Sequence, residues 1–139
     1  TNKYIETLVA KMGTAMFDAR VFSIPKDEVC NCLIWRQQDA TRNSIESVGH
    51  ANFSQKELHG KSCNAIQDML WKERGINWND FSIDCKRGSV CYKTKVKEVI
   101  PLLNDKGDTE MVEVVRNRWA IDREPPIFSQ EREYVEKWI

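Results

Sequence analysis

A chain of 139 residues has room for one domain and a modest core. Its 41% hydrophobic and 30% charged content are globular values and exclude a disordered chain. With 21 basic and 21 acidic side chains the net charge is zero, which excludes reliance on bulk attraction to nucleic acid but not a local basic patch.

Tyr4 to Met16 carries Ile5, Leu8, Val9, Met12 and Met16 at helical spacing. Phe17 to Phe22 is β-prone, and Ser23-Ile24-Pro25 ends it as a turn. Lys26-Asp27-Glu28 opens a long helix running to about Ala51, with its acids at the positive end of the dipole. Ser54-Gln55-Lys56-Glu57 spells a capping box, and Ser62 caps a helix from Asn64 to about Lys72 that Arg74-Gly75 closes. Asn77 to Asp80 reads as a turn. Ser89 to Lys93 predicts a strand, Lys95 to Lys97 its continuation, and Val99 to Leu103 a further short apolar run. Asn104 to Asp108 is a hairpin loop, Met111 to Ile121 a strand, and Pro125-Pro126 an extended segment. Ser129 to Glu133 starts a final helix. Helices first and strands later predict an α+β fold in a single domain over residues 1–139.

The five cysteines, Cys30, Cys32, Cys63, Cys85 and Cys91, are odd in number and irregular in spacing. They predict free thiols in a reducing, cytoplasmic setting, not a disulfide framework. No apolar run has the length of a membrane span and no signal peptide is visible, so no membrane partner is expected. The start at Thr1-Asn2, without methionine, predicts a processed protein or a part of a longer one. His59-Gly60-Lys61-Ser62 ends like a P-loop, but Gln55 stands where that motif needs glycine. His50 and His59 have no third ligand at zinc spacing.

Two features carry chemistry. From Arg36 to Ser44 no side chain is more apolar than Ala40, although the helix shows Val29, Leu33 and Ile34 before this stretch and Ile45 and Val48 after it. Either that stretch is solvated, or it aims polar groups at a ligand. Arg36, Asp39 and Asn43 recur at helical spacing, and Arg42 and Asn43 are donors suited to phosphate oxygens. The second feature is a basic run without acids: Lys86, Arg87, Lys93, Lys95 and Lys97. In a strand, the three alternating lysines share one face. That stripe either tracks nucleic-acid phosphates or defends an edge strand against aggregation.

Phe17 to Arg20, Trp35 to Ser44, Gly75-Ile76-Asn77-Trp78-Asn79 and Lys86-Arg87-Gly88, in that order, resemble the C-terminal half of the tRNA-His guanylyltransferase family, in the spelling of its bacterial and phage-type members. The resemblance implies a nucleotidyltransferase that adds a nucleotide to the 5′ end of tRNA. It implies a polymerase-like palm ending within residues 1–25, and a helical and antiparallel β portion over 26–139. It also implies GTP or ATP as substrate and two magnesium ions that bridge the reacting phosphates. Arg20, Asn43 and Lys86 would hold the triphosphate, with Arg36, Asp39 and Arg42 beside them. Arg87, Lys93, Lys95 and Lys97 would face tRNA. Thr41-Arg42-Asn43-Ser44 keeps only the asparagine of the family's His-Ile-Asn-Asn-like segment, and Ala19 replaces a glycine. These departures imply repair of varied truncated tRNA 5′ ends alongside histidine-tRNA addition.

The family's metal-binding carboxylates lie in its other half, and Asp18 and Asp39 do not resemble them. The chain alone is therefore expected to be inactive, and to act as a homo-oligomer or with an N-terminal half. A rival expectation is a stand-alone, non-catalytic nucleotide- or RNA-binding protein; a third is a structural assembly domain.

Overall fold

The computed structural model describes residues 19–139, together with Lys3, Glu6, Thr7, Ala10, Lys11 and Gly13. Most of the predicted helix from Tyr4 to Met16, and Phe17 and Asp18 of the predicted palm strand, lie outside the described residues. Ala19 to Phe22 is exposed and joins no ladder. β-prone side chains need a partner strand, and the described sheet holds only the two strands of a distal ribbon.

The organising element is α1, Val29–Asn52, entered through a 3-10 turn at Lys26–Glu28. Ser54 then caps α2, Gln55–Leu58, with the predicted box. The Glu57 N–H donates to Ser54 Oγ at 3.3 Å, and the Ser54 N–H donates to the Glu57 carboxylate at 2.7 Å. That backbone N–H, with the Ser54 hydroxyl, lowers the Glu57 pKa. Helix α3, Cys63–Arg74, opens on Ser62 and closes on Gly75, whose φ of 66° is left-handed. Helix α4, Ile83–Arg87, was not anticipated from sequence. Strands β1, Val90–Leu103, and β2, Thr109–Asp122, form an antiparallel ribbon with Val90 opposite Asp122 and Leu103 opposite Thr109. The two segments predicted before Asn104 are thus one continuous strand. Asn104 Oδ1 accepts from the N–H groups of Lys106 and Asp108, each at 3.0 Å, and pins the predicted hairpin loop. Helix α5, Arg132–Glu136, ends the fold. The architecture is α+β.

The core is split. Ile45, Phe53, Leu58, Ile66 and Leu70 join the C-terminal half of α1 to α2 and α3. Cys30, Ile34 and Val135, with Phe128 and Tyr134 against them, join its N-terminal half to α5. The polar stretch of α1 spans the gap between these clusters, which explains why the apolar stripe is interrupted there. No helix among the described residues is long and apolar enough to cross a membrane.

Candidate nucleotide and RNA site

The polar stretch of α1 is neither simply solvated nor wholly turned to a ligand. Gln37 is buried, and its amide clamps a distant segment. Gln37 Nε2 donates to the Pro126 carbonyl at 2.9 Å, and the Phe128 N–H donates to Gln37 Oε1 at 2.9 Å. Thr41 Oγ1 donates back to the Gln37 carbonyl at 3.1 Å. Ser44 fixes the other flank. Its hydroxyl donates to the Cys85 carbonyl at 2.7 Å and accepts from Trp78 Nε1 at 3.1 Å. Two polar side chains, Gln37 and Ser44, therefore tie two distant segments to one helix, and those segments deliver cations beside it.

The first result is a cleft of about 670 Å³ between α1 and the segment 78–87. Gln38, Thr41 and Arg42 line it from α1; Trp78, Asn79, Lys86 and Arg87 line the far wall. Lys86 Nζ donates to the Asn79 carbonyl at 3.1 Å and lies 5.7 Å from the centre of the Trp78 ring. Arg42 pairs with Asp39 on the helix surface. No carboxylate lines this cleft, so its potential favours an anion.

A second, largely aromatic cleft of about 810 Å³ lies on the other side of Gln37, between α1, β1 and α5. Arg36 and Lys93 line it, and Arg87 lines both clefts. Arg87 Nε donates to the Pro125 carbonyl at 2.8 Å, so this guanidinium is braced between them. Tyr134 closes the second cleft's floor, its hydroxyl donating to Asp122 at 2.6 Å. That bond holds the Asp122 carboxyl below its ordinary pKa, and burial pushes the Tyr134 phenol upward.

The residues predicted to hold a triphosphate do not all converge. Arg42 and Lys86 share the first cleft, whereas Arg36 faces the second. Asp39 and Asn43 line neither, and Asn43 is exposed. Arg20 sits in the exposed segment before α1, away from both linings. Of the residues predicted to face RNA, Lys93, Lys95 and Lys97 do share the outer face of β1, opposite Trp119, Asn117 and Val115. Lys93 Nζ lies 5.1 Å from the Trp119 ring centre, and Lys97 is 3.7 Å from Glu113. Arg87 belongs to the clefts, not to this stripe. Sequence reasoning passed over Trp78, Trp119 and Gln37. Trp78 was legible within the matched Gly75 to Asn79 block; Gln37 gave no local signal.

Magnesium requires several oxygen ligands. Among the described residues no three His, Cys, Asp or Glu side chains come together, and Asp39 is engaged by Arg42. Asp18 lies outside the described residues. The described side chains therefore do not fit the metal that the resemblance implies.

No protein-family model matches the chain. It is 28% identical over 93 residues to a probable tRNA(His) guanylyltransferase of Dictyostelium discoideum, a stretch covering 59% of this chain and 36% of that protein. Its fold superposes, with a TM-score of 0.66 and 39% identity, on a bacterial tRNA(His) guanylyltransferase-like protein solved in complex with ATP. That match covers 100% of this chain and 53% of the other, so the chain spans about half the solved relative and about a third of the curated one. In sequence and in fold, then, the chain is similar to tRNA(His) guanylyltransferase-like proteins and matches a portion of each.

Proposed function

We propose that this chain supplies the triphosphate-binding and RNA-facing part of a nucleotidyltransferase that adds nucleotides to tRNA 5′ ends. The observation that carries the reading is the carboxylate-free cleft where Arg42, Lys86 and Arg87 meet beside Trp78. The ATP complex of a relative 39% identical supports the nature of the ligand. Two arginine forks and an ammonium suit phosphate oxygens, while an indole offers a surface for a base. On this reading the metal-binding carboxylates belong to residues beyond those described here. The lysines of β1 face the RNA backbone and contribute affinity without sequence preference.

Calorimetric titration of GTP and ATP tests the cleft. Arg42→Ala and Lys86→Ala are each expected to weaken binding roughly ten- to hundredfold, the scale of a charge-assisted hydrogen bond. Asn43→Ala, on the exposed face of α1, is expected to bind like the parent. Equal affinities in parent, Arg42→Ala and Lys86→Ala, or no nucleotide binding at all, would overturn the assignment. For the ribbon, Lys93→Glu combined with Lys95→Glu should weaken tRNA binding and flatten its salt dependence by about two counterions. An unchanged salt slope would return the stripe to edge-strand defence.

A further inference from the structure

The proposed triphosphate site leaves the aromatic cleft without an assigned ligand, yet its lining is not that of an ordinary hydrophobic hollow. Five rings, Tyr92, Trp119 and Trp138 among them, meet three cations, Arg36, Arg87 and Lys93, and no carboxylate lines it. Tyr92 and Trp138 already pack against each other, with ring centres 4.5 Å apart. Trp119 is different. It is 70% exposed on the ribbon, with the Lys93 ammonium beside its face. An exposed indole attended by cations is the arrangement that takes a nucleobase by stacking and its phosphate by charge. An apolar peptide would not call for the cations, and an acidic one would not call for the rings.

We infer that this cleft binds an unpaired nucleotide of an RNA strand, with the base on Trp119 and the adjoining phosphates toward Lys93 and Arg36. The cleft favours a strand over a free nucleotide because its cations do not end at its rim. Lys93 belongs both to the cleft and to the outer stripe, where Lys95 and Lys97 follow at roughly 7 Å intervals along β1. A free nucleotide uses only the first of these; a chain leaving the cleft meets the others in turn. A base paired inside a duplex cannot reach the ring, so the site selects frayed or single-stranded ends. The inference rests on the reading of the chain as an RNA-handling protein, but it concerns a different cleft from the triphosphate site.

The test is fluorescence anisotropy of a labelled single-stranded RNA hexamer against the full chain, compared with the same sequence as a blunt duplex. The hexamer is expected to bind more tightly than the duplex. Trp119→Leu should weaken it roughly five- to hundredfold, the range for losing one stacked base. Lys93→Ala should lower the salt slope by about one counterion. Both variants should keep the parent's melting temperature, since both side chains are exposed, and its ATP affinity. Three results would overturn the inference: duplex binding as tight as the hexamer's, parent-like hexamer binding by Trp119→Leu, or one-for-one displacement of the hexamer by ATP. In the unsubstituted chain, hexamer binding without ATP binding would sink the triphosphate assignment alone, and ATP binding without hexamer binding would sink this inference alone.

Discussion

Gln37→Leu is expected to destabilise the protein although it replaces a polar side chain with an apolar one of similar size. The amide satisfies two backbone groups at once, the Pro126 carbonyl and the Phe128 N–H. Neither finds a replacement partner in a leucine. A buried group left without its hydrogen bond costs about 1–3 kcal/mol. Pro126 and Phe128 are half-buried, so water relieves part of each loss and the lower end applies. Two such groups cost about 2–3 kcal/mol, and the added apolar contact of leucine returns under 1 kcal/mol. The net loss of about 2 kcal/mol corresponds to a fall in melting temperature of roughly 6–8 °C for a domain of this size. The exposed neighbour Gln38 provides the control, since Gln38→Ala should stay within about 0.5 kcal/mol. Thermal unfolding followed by circular dichroism reads both variants. Nucleotide titration adds a second readout, because the clamped segment also supplies Ile127 and Ser129 to the cleft proposed for the triphosphate. A Gln37→Leu protein melting within about 2 °C of the parent would refute the clamp as a source of stability.

Ser44→Ala removes both bonds that hold the Trp78 indole and the Cys85 carbonyl against α1. It should cost about 1 kcal/mol in stability and weaken ATP binding, measured by calorimetry, without removing any cleft-lining group. Asp39→Asn releases Arg42 from its surface partner, so phosphate affinity should rise by up to about fivefold, the worth of an exposed ion pair. Gly49→Ala places a Cβ 2.8 Å from Ile66 Cγ2 between two packed helices. Overpacking of about 1–3 kcal/mol then exceeds the helix-propensity gain of roughly 1 kcal/mol. Denaturant melts should show that penalty disappear in an Ile66→Ala background, and an undiminished penalty there would refute the clash. Tyr134→Phe removes the leading cause of the depressed Asp122 pKa. A depressed carboxyl contributes stability above its unfolded pKa and loses it as pH falls through the folded value. The parent should therefore lose stability more steeply than the variant below about pH 4 in melts taken across acid pH.

What the sequence made legible was what is decided locally. The Ser54 box, the Ser62 cap, the Gly75 stop and the Asn104 loop all close within a few residues of where they begin. Helix α4 was equally local, with Ser82 before it, Asp84 in its first turn and Gly88 after it, yet five residues give too little periodicity to register. The strand expected over Phe17 to Phe22 fails over its described part for the opposite reason: β-propensity is realised only against a partner. The single strand β1 runs through Glu98, where sequence reading separated two segments, and on through Pro101. A two-stranded ribbon tolerates proline because neither strand has a second neighbour to hydrogen-bond.

The polar stretch of α1 was visible as an anomaly, but its cause was not, because Gln37 finds its partners 89 and 91 residues away. The choice between a solvated face and a ligand face omitted a third use for polar side chains, which is to hold backbone. Gln37 and Ser44 are spent that way, and Thr41 donates to the Gln37 carbonyl of its own helix; a donor committed to a carbonyl is not available to a phosphate. The candidates for ligand contact are therefore the residues beside them that line the clefts, Arg36 on one side and Gln38 and Arg42 on the other. The same commitment explains why the site needs the rest of the chain. Lys86 and Arg87 come from a short helix with no large core of its own, and reach α1 because Ser44 holds the adjoining Cys85 carbonyl and the Pro125 carbonyl braces Arg87. Helical spacing alone grouped Arg36 with Asp39 and Asn43; the seam between two cores separates them and puts Arg42 with Lys86 instead.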